Sequence, residues 1–178
     1  VTFTEPRVNK YGGKSVSLKY NSNQIRMVTP KMPMPFGVGV YTPEDGGSTK
    51  YSVQVSFREK DDTEEVSALH DFFSSLDDKL VEGACANSLA WFGKKKMTPE
   101  VVEAILKPSL QYSMDKDTGE RLTQYAPRIS VKIPVYGDDI GCRFYDSDGE
   151  KITVDGSQLR ELLTKGTLVE MKIRCRSL

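Results

Sequence analysis

Apolar and polar residues alternate most strictly over 128–136, where Ile129, Val131, Ile133 and Val135 are set against Arg128, Ser130, Lys132, Pro134 and Tyr136. Successive side chains of an extended strand point to opposite faces, so this period of two predicts a half-buried strand. One face belongs to a core, and the other displays charge and an aromatic ring. The last stretch, 167–175, repeats the pattern with Val169, Met171 and Ile173 opposed to Lys172 and Arg174, and Arg176 continues the polar side. Shorter alternations predict strands over 15–20 (Val16, Leu18 and Tyr20 against Ser15, Ser17 and Lys19), 24–29 (Ile25 and Met27 against Arg26 and Val28) and 50–58. In the last of these, Tyr51, Val53, Val55 and Phe57 point inward, and Asn21 to Asn23 supplies a turn between the first two.

Between 61 and 107 the period changes. Val66, Leu69, Phe73, Leu76 and Leu80 recur at three and four residues, which predicts an amphipathic helix, with Asp62 and Glu65 as its capping pair. Its polar side carries Glu64, Asp71, Asp77 and Asp78 and should repel a polyanion. Residues 83–92 continue helically, and Thr98 with Pro99 opens another helix that stops before Pro108. Pro30, Pro33 and Pro35 cannot donate to a central ladder, so 30–41 is extended and irregular, either capping the core with Met32, Met34 and Phe36 or forming the lip of a groove. Beyond it lie a short strand at 110–114, a turn at 115–120, a hairpin of 142–145 and 151–154, and a short helix at 157–163. Strands, one helical excursion and more strands predict a mainly β, α+β fold: a single domain over 1–178 with a flexible arm at 1–13, a helical insertion at 61–107, and a small barrel as closure.

Lysine and arginine together number 25, as do aspartate and glutamate, so any polyanion must be met by a local patch rather than a global field. There is no apolar run long enough for a membrane span and no charged-then-apolar leader, which leads us to expect a soluble intracellular protein. Cys85, Cys142 and Cys175 form no C-x-x-C pair, so neither a zinc cluster nor a disulfide framework is encoded; Cys142 and Cys175 read as small core residues in a reducing compartment.

Catalytic motifs are absent on inspection. Gly12-Gly13-Lys14-Ser15 ends like a phosphate-binding loop, but Val8 stands where its first glycine belongs, and a strand follows instead of a helix. Asp115/Asp117 and Asp146/Asp148 resemble calcium loops, yet Gly119 and Lys151 occupy positions that require a ligand and a glycine. His70 is the only histidine and reads as structural. No enzyme activity, cofactor or metal is therefore expected.

What remains is binding. Single-strand binding needs cations that follow phosphates and flat rings on which bases stack. Lys19, Arg26, Arg128, Lys132, Tyr136, Arg143, Tyr145, Lys172, Arg174 and Arg176 are the candidates. Lys94 to Lys96, beside Trp91 and Phe92, either reach nucleic acid or solubilise a helix end. The same chemistry serves DNA and RNA.

The order of parts, with Pro33-Met34-Pro35-Phe36-Gly37, 128–139 and 169–178 carrying most of it, resembles the single-stranded DNA-binding proteins of short-tailed bacteriophages and their relatives in large DNA viruses of algae and protists. The resemblance covers 15–178, and Lys132 and Lys172 stand at positions comparable to basic ones in those relatives. It implies an oligonucleotide/oligosaccharide-binding (OB) barrel with a helix packed against it, coating displaced strands during replication, recombination or repair in the host nucleus or a viral replication compartment. It also implies contacts with polymerase, helicase or primase through an acidic tail, commonly a homodimer, and no membrane. The chain departs from that pattern in its basic last residues, which puts tail-mediated recruitment and tail-exchanged dimerisation in doubt. The competing reading is a structural or protein-interaction module, a virion or scaffold protein, contacting its partner through Met32, Met34 and Phe36.

Overall fold

A computed structural model of the chain describes residues 1–137 and 139–175. Arg176 therefore lies outside the described residues. The structure is mixed α+β with more strand than helix. It divides into two compact units: Val1–Pro30, Lys60–Leu110 and the chain from Met171 form the first, and Lys31–Glu59 with Gln111–Glu170 the second. Among the described residues the strands pair in separate sheets of two or three, and no closed barrel forms. Most strands are two or three residues long, and proline at 30, 33, 35 and 134 removes donors where ladders would extend, so pairing stops before it can close.

The first unit is built on α1 (Glu64–Ala86), whose Val66, Leu69, Phe73, Leu76 and Leu80 are all buried, as their spacing predicts. Thr63, not Asp62, is the N-cap. Asn87 ends the helix and folds its Nδ2 back onto the carbonyl of Gly83 at 2.8 Å. Two short helices follow, α2 (Ser88–Phe92) and α3 (Pro99–Ile105). Val16, Ala84, Trp91, Met97 and Val102 form a shared core, against which Phe3 packs. Phe3 lies edge-on to Trp91, ring centroids 5.1 Å apart. Its ring also covers Gly83 so closely that any side chain there would collide with it.

Asp77 departs from the picture of a free acidic face. Its two carboxylate oxygens accept from the backbone N–H groups of Ser109 (2.9 Å) and Leu110 (3.1 Å), fastening the end of the helical region to α1. Residues 1–13, read from the sequence as an arm, contain paired strands. Thr2–Phe3 pairs with Leu18–Tyr20, which pairs with Asn23–Gln24 across a turn whose central residues, Asn21 (φ 46°) and Ser22 (φ 65°), are both left-handed, as the tight hairpin twist requires. Arg7–Val8 pairs with Lys14–Ser15, and Arg26–Val28 with Lys172–Arg174.

The second unit holds the strand with the strictest alternation. Arg128–Ile133 pairs antiparallel along its whole length with Lys50–Ser56, whose other edge takes Gly39–Tyr41. Ile129, Ile133, Val53, Val55 and Phe57 are buried as expected. The alternation continues to Tyr136, but the strand does not. Pro134 interrupts it, and Val135–Tyr136 pairs instead with Asp139–Ile140. The final strand likewise divides: Leu168–Val169 pairs with Met32–Pro33 in this unit, whereas Lys172–Arg174 pairs in the first. Met32 and Met34 are completely buried and cap the core; Phe36 is exposed. Two of the three residues assigned to an interaction surface are thus unavailable to a partner. Cys142 is exposed and Cys175 half-buried, so neither is a core residue.

Helix α4 (Gln158–Leu162) is held by a reciprocal cap one turn ahead of it. The Asp155 carboxylate accepts from the N–H of Gln158 (2.9 Å) and of Ser157 (2.8 Å), while Gln158 Oε1 accepts from the Asp155 N–H at 3.0 Å. The Ser157 hydroxyl donates to the same carboxylate oxygen, and that bond leads in holding the Asp155 pKa below the ordinary 3.8. A carboxylate with a depressed folded-state pKa stabilises the fold above its unfolded pKa and loses that contribution as pH falls through the folded one. Asp155→Ala should accordingly lower the thermal midpoint at neutral pH, and the gap to wild type should narrow below pH ~3.8, measured by circular dichroism across a pH series. A gap independent of pH would exclude the charged cap.

Candidate nucleic-acid interface

The candidate residues divide between the units. Lys19, Arg26, Lys172 and Arg174 belong to the first; Arg128, Lys132, Tyr136, Arg143 and Tyr145 to the second.

In the first unit, register puts Arg26 directly opposite Arg174 and Val28 opposite Lys172. Directly paired residues of an antiparallel ladder project to the same side, as do residues two apart, so Arg26, Val28, Lys172 and Arg174 share one face. All four are exposed. The opposite face carries Met27 and Ile173, both partly buried. Like charges directly opposite each other destabilise a ladder. Among the described residues no carboxylate pairs with either arginine; the ion pairs there are Arg58–Glu59, Lys60–Asp61 and Lys79–Glu82. The ladder is held instead by its backbone. Buried Thr29 donates its N–H to the Met171 carbonyl (2.9 Å) and accepts the Met171 N–H on Oγ1 (3.0 Å), and the Cys175 N–H bonds to the Ile25 carbonyl. Lys19, exposed, pairs with Gln24 across the neighbouring hairpin, and Gln24 and Arg26 flank buried Ile25.

In the second unit Lys132 is exposed and sits opposite Ser52, which in turn sits opposite Gly39. A side chain at residue 39 would strike the Ser52 hydroxyl, so glycine leaves the surface beside Lys132 low and open. One row away Lys50 pairs with Tyr41, its ammonium 5.6 Å from the exposed ring. Tyr136 is 60 % exposed, with one edge of its ring over Gly141. Tyr145 is also exposed, on the hairpin of Phe144–Tyr145 and Lys151–Ile152, which turns through left-handed Gly149; Arg143 precedes it, exposed. Both Asp-x-Asp segments are turns of this kind: Asp115 accepts from the N–H groups of Asp117 and Thr118, and Asp146 from those of Asp148 and Glu150.

Arg128 differs from the others. It is half-buried, donates from Nη1 to the Ser113 hydroxyl (2.9 Å), bonds through its backbone to Gln111, and holds its guanidinium 5.9 Å from the Phe36 ring. Its role is to tie 111–113 to the sheet. Trp91 is buried in the first unit's core, so the aromatic partner read beside Lys94 to Lys96 is not available for stacking.

The sequence reading missed Tyr11, Tyr20 and Tyr41, all more than half exposed. It also missed how the charges are distributed. The neutral total conceals long acid-free stretches, among them 6–43, 83–99, 121–137 and 171–178, which hold Arg7, Lys10, Lys14, Lys19, Arg26, Lys31, Lys94, Lys95, Lys96, Arg121, Arg128, Lys132, Lys172, Arg174 and Arg176. Scanning for carboxylate-free intervals would have found them.

No protein-family model, curated protein or solved structure matches the chain.

Proposed function

We propose that the protein binds single-stranded DNA with little sequence preference, protecting it during viral replication, recombination or repair, and that it acts without catalysis. One observation carries the reading: Arg26 faces Arg174 across a ladder, with Lys172 on the same side and none of the three ion-paired to a carboxylate among the described residues. An anionic strand lying along that face would remove the repulsion, and each phosphate neutralised releases counterions. Exposed tyrosines on short hairpins supply sequence-tolerant stacking surfaces. An OB-like fold without a closed barrel, the replication partners and the homodimer that the resemblance implies belong to the same proposal.

The test is fluorescence anisotropy with labelled oligothymidylate, single-stranded against duplex, over a series of salt concentrations, with oligouridylate reporting RNA. Preference for the single strand is expected, with log affinity falling against log salt at a slope of about 2 or more, since three cations at ~0.7 each set the floor. Salt-independent binding, or equal affinity for duplex, would reject the proposal.

A further inference from the structure

The hairpin of Arg7–Val8 and Lys14–Ser15 reverses through Asn9-Lys10-Tyr11-Gly12-Gly13. Its tip is fixed: Asn9 Oδ1 accepts from the N–H groups of Tyr11 and Gly13, both at 2.9 Å, and Gly12 takes a φ of +81° that other residues avoid. This holds Tyr11 outward, 84 % exposed, with the Lys10 ammonium 4.9 Å from its ring centroid. Behind the tip, Lys14 Nζ donates to the Ala90 carbonyl at 2.9 Å, so the hairpin rests on α2. That helix ends two residues later. Left-handed Gly93 closes it, with the N–H groups of Gly93 and Lys94 returned to the carbonyls of Leu89 and Ser88. Lys94, Lys95 and Lys96 leave this cap exposed, and Met97 returns to the core. The lysine run is thereby pinned at both ends.

The two segments bring Lys10, Lys14, Lys94, Lys95 and Lys96 to one region of the first unit, in stretches without a carboxylate. None of the five is in an ion pair among the described residues. A solubilising tail would need neither the rigid turn nor the capped exit. We propose that this patch is a second binding surface for single-stranded nucleic acid, separate from the Arg26–Arg174 ladder, in which the lysines meet phosphates and Tyr11 stacks a base. The ligand class rests on the function proposed above; the site does not depend on the ladder.

The experiment uses the full chain with labelled oligothymidylate in a salt titration. It compares the triple variant Lys94→Ala, Lys95→Ala, Lys96→Ala with Tyr11→Ala and with the double variant Arg26→Ala, Arg174→Ala, each shown by thermal melting to be folded. The triple variant is expected to lose about 2 from the salt slope, at ~0.7 per phosphate contact. Tyr11→Ala should weaken binding at least about fivefold at unchanged slope, as removal of one stacked base does. Wild-type binding by both patch variants, with loss in the double variant, overturns the patch and leaves the ladder standing. Loss in the patch variants with wild-type binding by the double variant supports the patch and overturns the ladder. Wild-type behaviour of all three rejects both.

Discussion

Arg174→Glu is expected to make the protein more stable and a poorer ligand for single strands at the same time. At present two guanidinium groups project from directly opposed positions on one face of a short ladder, with Lys172 two residues away. Glutamate at 174 would turn the Arg26 pairing from repulsive to attractive. Cross-strand charge pairs of this kind are worth ~0.2–1 kcal/mol, so stability rises by up to about 1 kcal/mol, and less in high salt. Binding moves the opposite way. One phosphate contact is lost and a carboxylate now opposes the anionic strand, which should lower affinity at low salt on the order of a hundredfold, or ~2.7 kcal/mol. Urea unfolding and anisotropy on the same preparation check the two signs together. A variant that is more stable and binds as well as wild type would show that the ladder is only a solvated surface.

Trp91→Ala tests the core of the same unit. The indole is buried, lies edge-on to Phe3 and belongs to the cluster that joins the helices to the first strands. Truncating a buried tryptophan loses the transfer free energy of the ring and leaves a cavity, typically ~3–5 kcal/mol together. For a chain of this size the thermal midpoint should fall by roughly 10 °C or more. Trp91→Phe, which keeps most of the apolar volume, should lose much less and should leave oligonucleotide affinity within about twofold of wild type. A large loss of affinity in Trp91→Phe, at preserved stability, would mean that the indole reaches the ligand.

The contrast between Trp91 and Tyr11 shows what could be read from the sequence and what could not. Periodicity reports which face of an element is apolar, and it was accurate for two elements: the five positions predicted for α1 are all buried and the alternation across 128–133 survives, whereas in 50–58 Ser56 of the polar side is buried as well. Periodicity does not report which element lies against that face. Tryptophan beside three lysines has the composition of a stacking site, yet Phe3, far away in the chain, takes the ring into the core. The sheet partners of the two basic strands were hidden for the same reason. Their faces were correct, but the partner of 128–133 is Lys50–Ser56 and the partner of Lys172–Arg174 is Arg26–Val28, choices made by long-range pairing that no local pattern encodes. Arg128 fits the outward side of the alternation and is still occupied, because Ser113 and Gln111 arrive from a segment with almost no periodicity of its own.

The burial of Trp91 also gives the protein two optical channels. As the only tryptophan, it should emit at short wavelength while the first unit is packed and shift to the red when that core opens, whatever is bound outside. Tyr11, Tyr20, Tyr41, Tyr136 and Tyr145 are exposed, and under the proposed function a stacked base would quench them. Selective excitation of the indole would follow unfolding, and tyrosine emission would follow occupancy, so both could be read from one unlabelled sample.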